Sequence, residues 1–413
     1  MKPDLYLITN DFPFGKGEDS FILPELPYLT KKFKVTIISN SLAAEQTCFL
    51  DDEICVVHYD RKASIGRKIC DSISYLGASS AHKEVIQIFQ SGEKIPGRIF
   101  ESILFFEEAR RFERFIKKNH MIDDKKPVII YCYWFTYYCL TMLRFSEKHP
   151  NIKVITRAHR YDLYDEGYLF GRQPFKEQMN RKIGNIIFIA EHGRQYYRNK
   201  YGEPEIDGQY QLFRLGVRPL HAPYLGKKVG EEFLLVSCAQ VISRKRVELI
   251  VDALTHIRDF RIRWIHFGGG NDYEKLRGYA EEKLGSMENI SYELRGYVAS
   301  EQIMEFYGCH YVDAFITTTA SEGCPVSVQE AMAYAIPVIG TAVAEIPHMI
   351  DGNGVLLSET PTAEEVATGI RNIYNQSVEN VIKMREKSYR RWKKDFNAEI
   401  NAERFVEFLY RIL

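Results

Sequence analysis

The sequence contains no uninterrupted apolar run near the roughly 20 residues needed to cross a bilayer, which excludes a helical span from the reading. It has no CxxC pair. Its eight cysteines (Cys48, Cys55, Cys70, Cys132, Cys139, Cys238, Cys309 and Cys324) are scattered, which argues against a structural zinc site and against a disulfide framework. Neither sign of charge is in excess: 55 basic side chains face 55 acidic ones, so no global field favours nucleic acid. No apolar signal segment follows the MKPDLYLITN start, and the simplest expectation is a cytoplasmic protein with reduced thiols. Also missing are a short-period repeat, a low-complexity tract and an Asp-x-Asp after a strand that could bridge a metal to phosphates. What is present fits globular packing: 45% hydrophobic and 27% charged residues. At 413 residues the chain is too long for one ordinary core and suits two domains of roughly 200 residues each.

Short apolar runs alternate with helical ones. DLYLIT (4–9), FKVTIIS (33–39), ICVVHY (54–59), PVIIYCYW (127–134), IKVIT (152–156) and NIIFIA (185–190) are nearly continuous in apolar character. Such runs belong to strands covered on both faces, as in a parallel sheet flanked by helices. The pattern restarts with FLLVSC (233–238), IRWIHFG (262–268), ISYEL (290–294), DAFITT (313–318) and IPVIG (336–340), with helical stretches such as VELIVDALTHI (247–257) between them. Between the two sets RPLHAPYLGKKVG (218–230), rich in Pro, Gly and Lys, is the best linker candidate. The expected fold is α/β: two Rossmann-like doubly wound domains, 1–218 and 231–390, facing a central cleft. In such sheets ligands sit beyond the carboxyl ends of the strands, so site residues should come from the turns that follow them.

One such turn opens SEGCPVSVQEAMAYAIPVIG (321–340). Pro325 suits the first turn of a helix, where its missing N–H would have no partner anyway. Val328, Ala331, Met332 and Ala335 recur at helical spacing and form the buried face, with Glu330 roughly opposite and Glu322 just before the helix. The free first-turn amides around Gly323, Cys324, Pro325, Val326 and Ser327, with the positive helix end, offer a place for a phosphate. A carboxylate, an anion hole and a second carboxylate in line suit a sugar nucleotide. The competing reading is a capping Glu322 and a solvated Glu330.

The segment resembles the E-x7-E signature of the retaining GT-B glycosyltransferases of family 4, with the usual continuation present as EAMAYAIPVIG. RLGV (214–217), VSCAQVISRKRVELIVDAL (236–254), HFGGGND (266–272), RGYV (295–298) and DGNGVLL (351–357) fall in that family's order and spacing, and TRAHRYDLYDE (156–166) is similar to its histidine-bearing segment. The likeness is strong over roughly 205–360, moderate over 127–200 and weak before that.

The resemblance implies a GT-B enzyme, a hexosyltransferase-type transferase. It moves a sugar, with retention, from a nucleoside diphosphate sugar to a hydroxyl of a glycan or lipid-linked glycan, in surface polysaccharide biosynthesis. The donor is UDP- or GDP-linked, and neither a cofactor nor a metal is required. It further implies that Glu322 holds donor-sugar hydroxyls, Glu330 the nucleotide ribose, and Lys245 the diphosphate, where a fixed cation meets charge developing on the leaving phosphate. One departure stands out: the arginine usually found five residues before the lysine aligns with Gln240, which carries no charge, leaving Arg244 or Arg246 as substitutes. Gly268 and Gly269, with Tyr297 and Val298, line the nucleotide pocket in the family. The resemblance gives His159 a contact with the donor sugar, beside Arg157 and Asp162 as weaker candidates.

In the first domain the loop NDFPFGKGED (10–19) stands where the family has a flexible Gly-rich turn. Gly15 and Gly17 would permit close approach of substrate, and Glu18, at a helix start, is either a cleft residue or a cap. Residues 391–413 are expected to form a helix packing back on the first domain. Residues 61–126 carry 14 Lys and Arg against 9 Asp and Glu, with apolar residues interleaved as in RIFESILFFEEARRFERFIKK (98–118). Two readings stand: a peripheral contact with anionic lipid on the inner face of a membrane, and a core-packed helix with a solvated basic face. A non-catalytic sugar-nucleotide binding protein would share the cleft. A nicotinamide-linked oxidoreductase would need a complete GxGxxG, which GGGNDY lacks. Within the enzyme class an epimerase or a phosphorylase of the same fold resembles the chain less closely.

Overall fold

The computed structural model describes residues 2–15, 17–43, 45–60, 64–123, 125–223 and 231–413. The chain forms two compact units: the first holds Met1–Phe213 and Ala402–Leu413, the second Arg214–Asn401.

The first unit is built on seven strands: β1 (Asp4–Thr9), β2 (Lys34–Ser39), β3 (Cys55–His58), β4 (Val128–Cys132), β5 (Ile152–Ala158), β6 (Asn185–Phe188) and β7 (Tyr210–Leu212). They pair in parallel in the order β3-β2-β1-β4-β5-β6-β7. The winding reverses between β1 and β4, which is where a doubly wound sheet opens its ligand crevice. Both faces of the sheet carry a core. Ile8, Ile130 and Ile186 join one; Leu7, Ile129 and Ile187 join the other. That double burial is why the strands read as continuous apolar runs.

The second unit repeats the plan with β8 (Phe233–Cys238), β9 (Ile262–Phe267), β10 (Ile290–Leu294), β11 (Ala314–Thr317), β12 (Val338–Thr341) and β13 (Gly354–Leu357). The order is β10-β9-β8-β11-β12-β13, all parallel, with the reversal between β8 and β11. The edge strands β7 and β13, three and four residues long, were not among the expected ones. Runs this short lack enough alternation or apolar length to separate them from turns.

The division between units differs from the expected one for identifiable reasons. Phe213 packs against Phe405 and Phe408 of the first unit, at ring-centroid distances of 5.4 and 5.0 Å. Arg214, the next residue, donates to Glu345 of the second unit at 2.8 Å. At the other end Trp392 and Phe396 are buried in the second unit's core, so the chain leaves that unit within the last helix, Ala398–Arg411, and not at 391. Of the linker candidate 218–230, residues 224–230 lie outside the described residues.

The helix Ile95–Lys118 is the longest in the first unit, and its Phe105, Phe106, Ala109, Phe112 and Ile116 belong to the core. Its charges pair locally, Arg110 with Glu113 toward the outside and Arg111 with the buried Glu107, each at 2.7 Å. The segment 98–118 is therefore a core-packed helix with a charged face. Residues 61–63 and 124 of the basic segment 61–126 lie outside the described residues. Among the described residues no helix is long and apolar enough to cross a membrane.

Candidate functional site

In the second unit the turns after β8, β9, β10 and β11 gather at the carboxyl edge of the sheet. The turn after β8 runs into a single 3-10 turn, Ser243–Lys245, and leaves it through Arg246 in the left-handed region (φ 49°). This turn is tied to the one after β9, because Val241 N–H donates to Gly269 O at 2.8 Å. Gly268 has φ 144°, and a Cβ there would lie 1.8 Å from Ala239 O, so only glycine lets the two turns meet. Gly268 N–H also donates to Gly296 O at 2.7 Å, joining the turn after β10, and Gly269 lies against the Tyr297 backbone. The Tyr297 side chain itself is exposed, while Val298 packs against the core. Gly268 thus shapes the meeting of these turns through close backbone packing.

Three basic residues in sequence have three destinations. Arg246 donates to Thr318 O at 2.7 Å and to Thr319 O at 2.9 Å, a brace on the chain leaving β11. Arg244 donates to Ser321 O at 3.1 Å. Lys245 alone reaches a carboxylate, donating to Glu322, with both side chains mostly buried at 15% and 13% exposure. Arg246 is thus committed to three backbone carbonyls, whereas Arg244 holds one. Gln240 is exposed.

The helix after Glu322 spans Val326–Ala333, with Pro325 as its N-cap, one position earlier than expected. Val328, Ala331, Met332 and Ala335 are fully buried as the spacing required. Gly323, Cys324 and Ser327 are half-buried around the helix start, and Gln329 donates to Cys324 Sγ at 3.2 Å. The first-turn amides of this helix have no carbonyl partner within it.

The solvated reading of Glu330 is overturned: the residue is 5% exposed. Its carboxylate accepts a hydrogen bond from Ser300 Oγ, at the start of the helix Ser300–Cys309. Burial raises its pKa to about 7, against the hydrogen bond from Ser300, with nearby Glu301 adding to the rise. Cys238, at the end of β8, feels both the Glu330 carboxylate and the Lys245 ammonium; burial, reinforced by Glu330, pushes its thiol up to about 12. These residues therefore share one neighbourhood. Tyr307 belongs to it as well: its hydroxyl is buried with no hydrogen-bond partner among the described residues, and Glu330 raises its pKa further beyond the effect of burial.

In the first unit His159 follows β5 and caps the short helix Arg160–Leu163. Its ring lies 4.4 Å from that of Trp134 and 4.9 Å from that of Tyr133, and both ring nitrogens are buried without a hydrogen-bond partner among the described residues. Burial first, and the Arg157 charge second, hold its pKa well below 6.5, so the imidazole is neutral.

The other first-unit candidates hold the fold. Arg157 is buried between the rings of Tyr131, Tyr133 and Phe405 and donates to Glu25 at 2.7 Å. As a cleft residue it is corrected: strand alternation aims it into the core. Asp162 is fully buried and accepts the N–H groups of His159 (2.6 Å) and Phe135 (2.5 Å), with burial raising its pKa. Lys176, absent from the sequence reading, locks the same corner by donating to Asp162 O at 2.7 Å and Phe135 O at 2.8 Å. Glu18, 2% exposed, stands at the N-cap position of the short helix Asp19–Ile22, but its side chain makes no capping bond there; its carboxylate accepts from the amides of Asn10, Asp11 and Phe12 and from Trp134 Nε1. Gly15 is required by Asp11, whose Cβ lies 2.8 Å from where a Gly15 Cβ would sit, whereas Gly17 is exposed.

The sequence reading missed Ser300, Tyr307, Trp134 and Lys176. Ser300 acts on Glu330 30 residues away, Trp134 on Glu18 116 away and Lys176 on Phe135 41 away, and none of the four sits in a motif. Among the described residues no three His, Cys, Asp or Glu side chains gather to hold a metal.

Residues 226–394, within the second unit, match the family described as Glycosyl transferases group 1. The O-antigen biosynthesis glycosyltransferase WbnH of Escherichia coli is 29% identical over 116 residues, 28% of this chain; the match spans 30% of that relative's own length. Among solved structures, the lipopolysaccharide outer core galactosyltransferase WaaB superposes with a TM-score of 0.66 at 15% identity, covering 99% of this chain and 100% of that one. The Anabaena Alr3699/HepE protein in complex with UDP-glucose gives 0.61 at 12% identity over 99% and 100%. These likenesses show the fold: two Rossmann-like parallel-sheet domains of the GT-B type.

Proposed function

We propose that the chain is a retaining, metal-independent glycosyltransferase of the E-x7-E type. It transfers a sugar from a nucleoside diphosphate donor to a hydroxyl of a glycan held on a lipid carrier, in surface polysaccharide assembly. The observation that carries this reading is the Lys245–Glu322 pair, held at the end of two strands beside the first turn of the helix Val326–Ala333. A cation and free helix amides at one point suit a diphosphate, and the carboxylate beside them suits the hydroxyls of the attached sugar. Glu330, buried four residues into the helix, suits two ribose hydroxyls.

In the reaction the bond between the sugar's anomeric carbon and the β-phosphate oxygen breaks, its electron pair leaving on that oxygen. The acceptor hydroxyl bonds to the same carbon from the same face, and its proton passes to the departing phosphate. Lys245 stabilises the charge that grows on the leaving group, which speeds the step because the charge is larger in the transition state than in the donor. We assign neutral His159 to the donor sugar near the reacting carbon. Gln240 brings no second cation, and Arg244 takes that part.

HepE is named with UDP and UDP-glucose, which makes UDP-linked hexoses the first donors to test. A mass-spectrometric screen of UDP- and GDP-sugars should show release of one nucleoside diphosphate, and NMR of the product should show the donor's anomeric configuration. Binding without release would instead mark a sugar-nucleotide binding protein, and an inverted product would remove retention.

A further inference from the structure

The first unit carries a helix whose apolar edge faces solvent. Along Ile65–Ile73 and the turn that follows, Ile65, Ile69, Ile73 and Leu76 are 79%, 53%, 60% and 71% exposed. At spacings of four, four and three residues they form one stripe. Soluble surfaces scatter single apolar side chains; a run of four on one helix edge marks a surface that something covers.

The opposite edge of this helix is fixed. Asp71 is buried and takes both its oxygens to Arg114 on the helix Ile95–Lys118. Tyr75 is buried against the rings of Phe106 and Phe175, and its hydroxyl pairs with Ser102 Oγ at 2.7 Å. The stripe is therefore held outward by the core beneath it. Asp71 is the helix's one acidic residue and is already neutralised. Arg67 and Lys68 are exposed, Lys68 within electrostatic reach of the buried Glu107 on the helix Ile95–Lys118. The open surface of the helix thus presents aliphatic side chains and two cations, with no anion.

We infer that the helix Ile65–Ile73 lies in the headgroup region of an anionic lipid bilayer, its isoleucine stripe among the acyl chains and Arg67 and Lys68 on lipid phosphates. An amphipathic helix of low overall hydrophobicity, with an aliphatic face and basic flanks, binds in the plane of such an interface. Charge complementarity decides between occupants. A second copy of the chain would bring four cations together. It would also rest on a helix about 13 Å long and about 10 Å across, a small part of the roughly 800 Å² per partner of a stable interface. This helix, and not the core-packed segment 98–118, is the lipid contact of the basic region. The inference deepens the proposed function and rests on it for the acceptor, a glycan whose lipid carrier lies in the same bilayer.

The test is cosedimentation of the full chain with phosphatidylglycerol vesicles and with phosphatidylcholine vesicles. The expected result is pelleting with the anionic vesicles, about tenfold weaker with the neutral ones, and weakened by raising salt from about 0.1 to about 0.5 M. I69D together with I73D should abolish it, and R67E with K68E should cut it about tenfold, while thermal unfolding and release of nucleoside diphosphate in solution stay unchanged. Absence of binding to phosphatidylglycerol, or undiminished binding by the I69D/I73D chain, overturns the inference. So does a wild-type dimer that I69D/I73D dissolves without any vesicle binding. Donor turnover without vesicle binding would leave the proposed enzyme standing, whereas vesicle binding without donor turnover would leave this surface standing.

Discussion

The two units share one winding and use charge in opposite ways. In the first, Glu18, Asp162 and Lys176 bond to backbone groups, and Arg157 to a buried glutamate and three rings. Their partners are part of the fold, and so their work is to set loops. In the second, Lys245 pairs with Glu322 and Glu330 with a single serine hydroxyl. A carboxylate with about four acceptor positions and one donor keeps capacity for a ligand; one with three amides and an indole has little left. The comparison teaches that burial and charge alone do not mark a site in a doubly wound sheet. What sets the second unit's carboxylates apart is acceptor capacity left open beside the turns that follow the strands.

Substitutions should separate the two uses. The largest effect is expected in the second unit: Lys245→Ala and Glu330→Ala should each lower turnover about a hundredfold or more, equivalent to about 3 kcal/mol, with a nearly unchanged melting temperature. Steady-state rates for the two variants check this, and near-normal turnover in both would erase the contrast. Next comes Asp162→Asn in the first unit. It leaves one of two buried amides without an acceptor and should cost about 2 kcal/mol of stability, read by denaturant unfolding, while donor affinity is preserved. A loss of donor affinity without loss of stability would move Asp162 into the functional class.

The smallest effect sharpens the second unit itself. Burial sets the pKa of Glu330 at about 7 against an ordinary 4.5, so between those values the folded protein keeps a proton that the unfolded chain has released. That contribution to stability is fully present below the ordinary value and is lost as pH rises through about 7, where an ionised Glu330 must be carried in the interior. Glu330→Gln should therefore raise stability by about 1 kcal/mol at pH 8 and have no effect near pH 4. The same ionisation favours ribose hydroxyls as donors, so donor affinity of the wild type should tighten from pH 6 to pH 8 and that of Glu330→Gln should not. His159, held neutral by burial, adds no step to that profile.

Much of the fold was legible because both faces of each central strand are covered, which writes itself into the sequence as unbroken apolar runs such as VIIYC and FLLVSC. The pair Lys245 and Glu322 was legible too, since both follow strands and belong to a specific spacing. What was hidden depends on distant partners. Arg157 read as a wall residue because Glu25, which takes its charge, lies 132 positions earlier. Glu330 read as solvated or ligand-facing because the serine beside it comes from another helix 30 positions away. Glu18 read as either a cleft residue or a cap because its side chain's partners are the amides of a loop that turns back over it. The isoleucine stripe could be seen only once Asp71 and Tyr75 had fixed which edge of the helix is buried.

The most direct measurement is a crystal structure of the full chain with the nucleoside diphosphate that the donor screen identifies. The account predicts the diphosphate against Lys245 and the first turn of the helix Val326–Ala333, with the ribose hydroxyls on Glu330. Density for the nucleotide away from these residues, with Lys245 and Glu322 still paired and untouched, would contradict it.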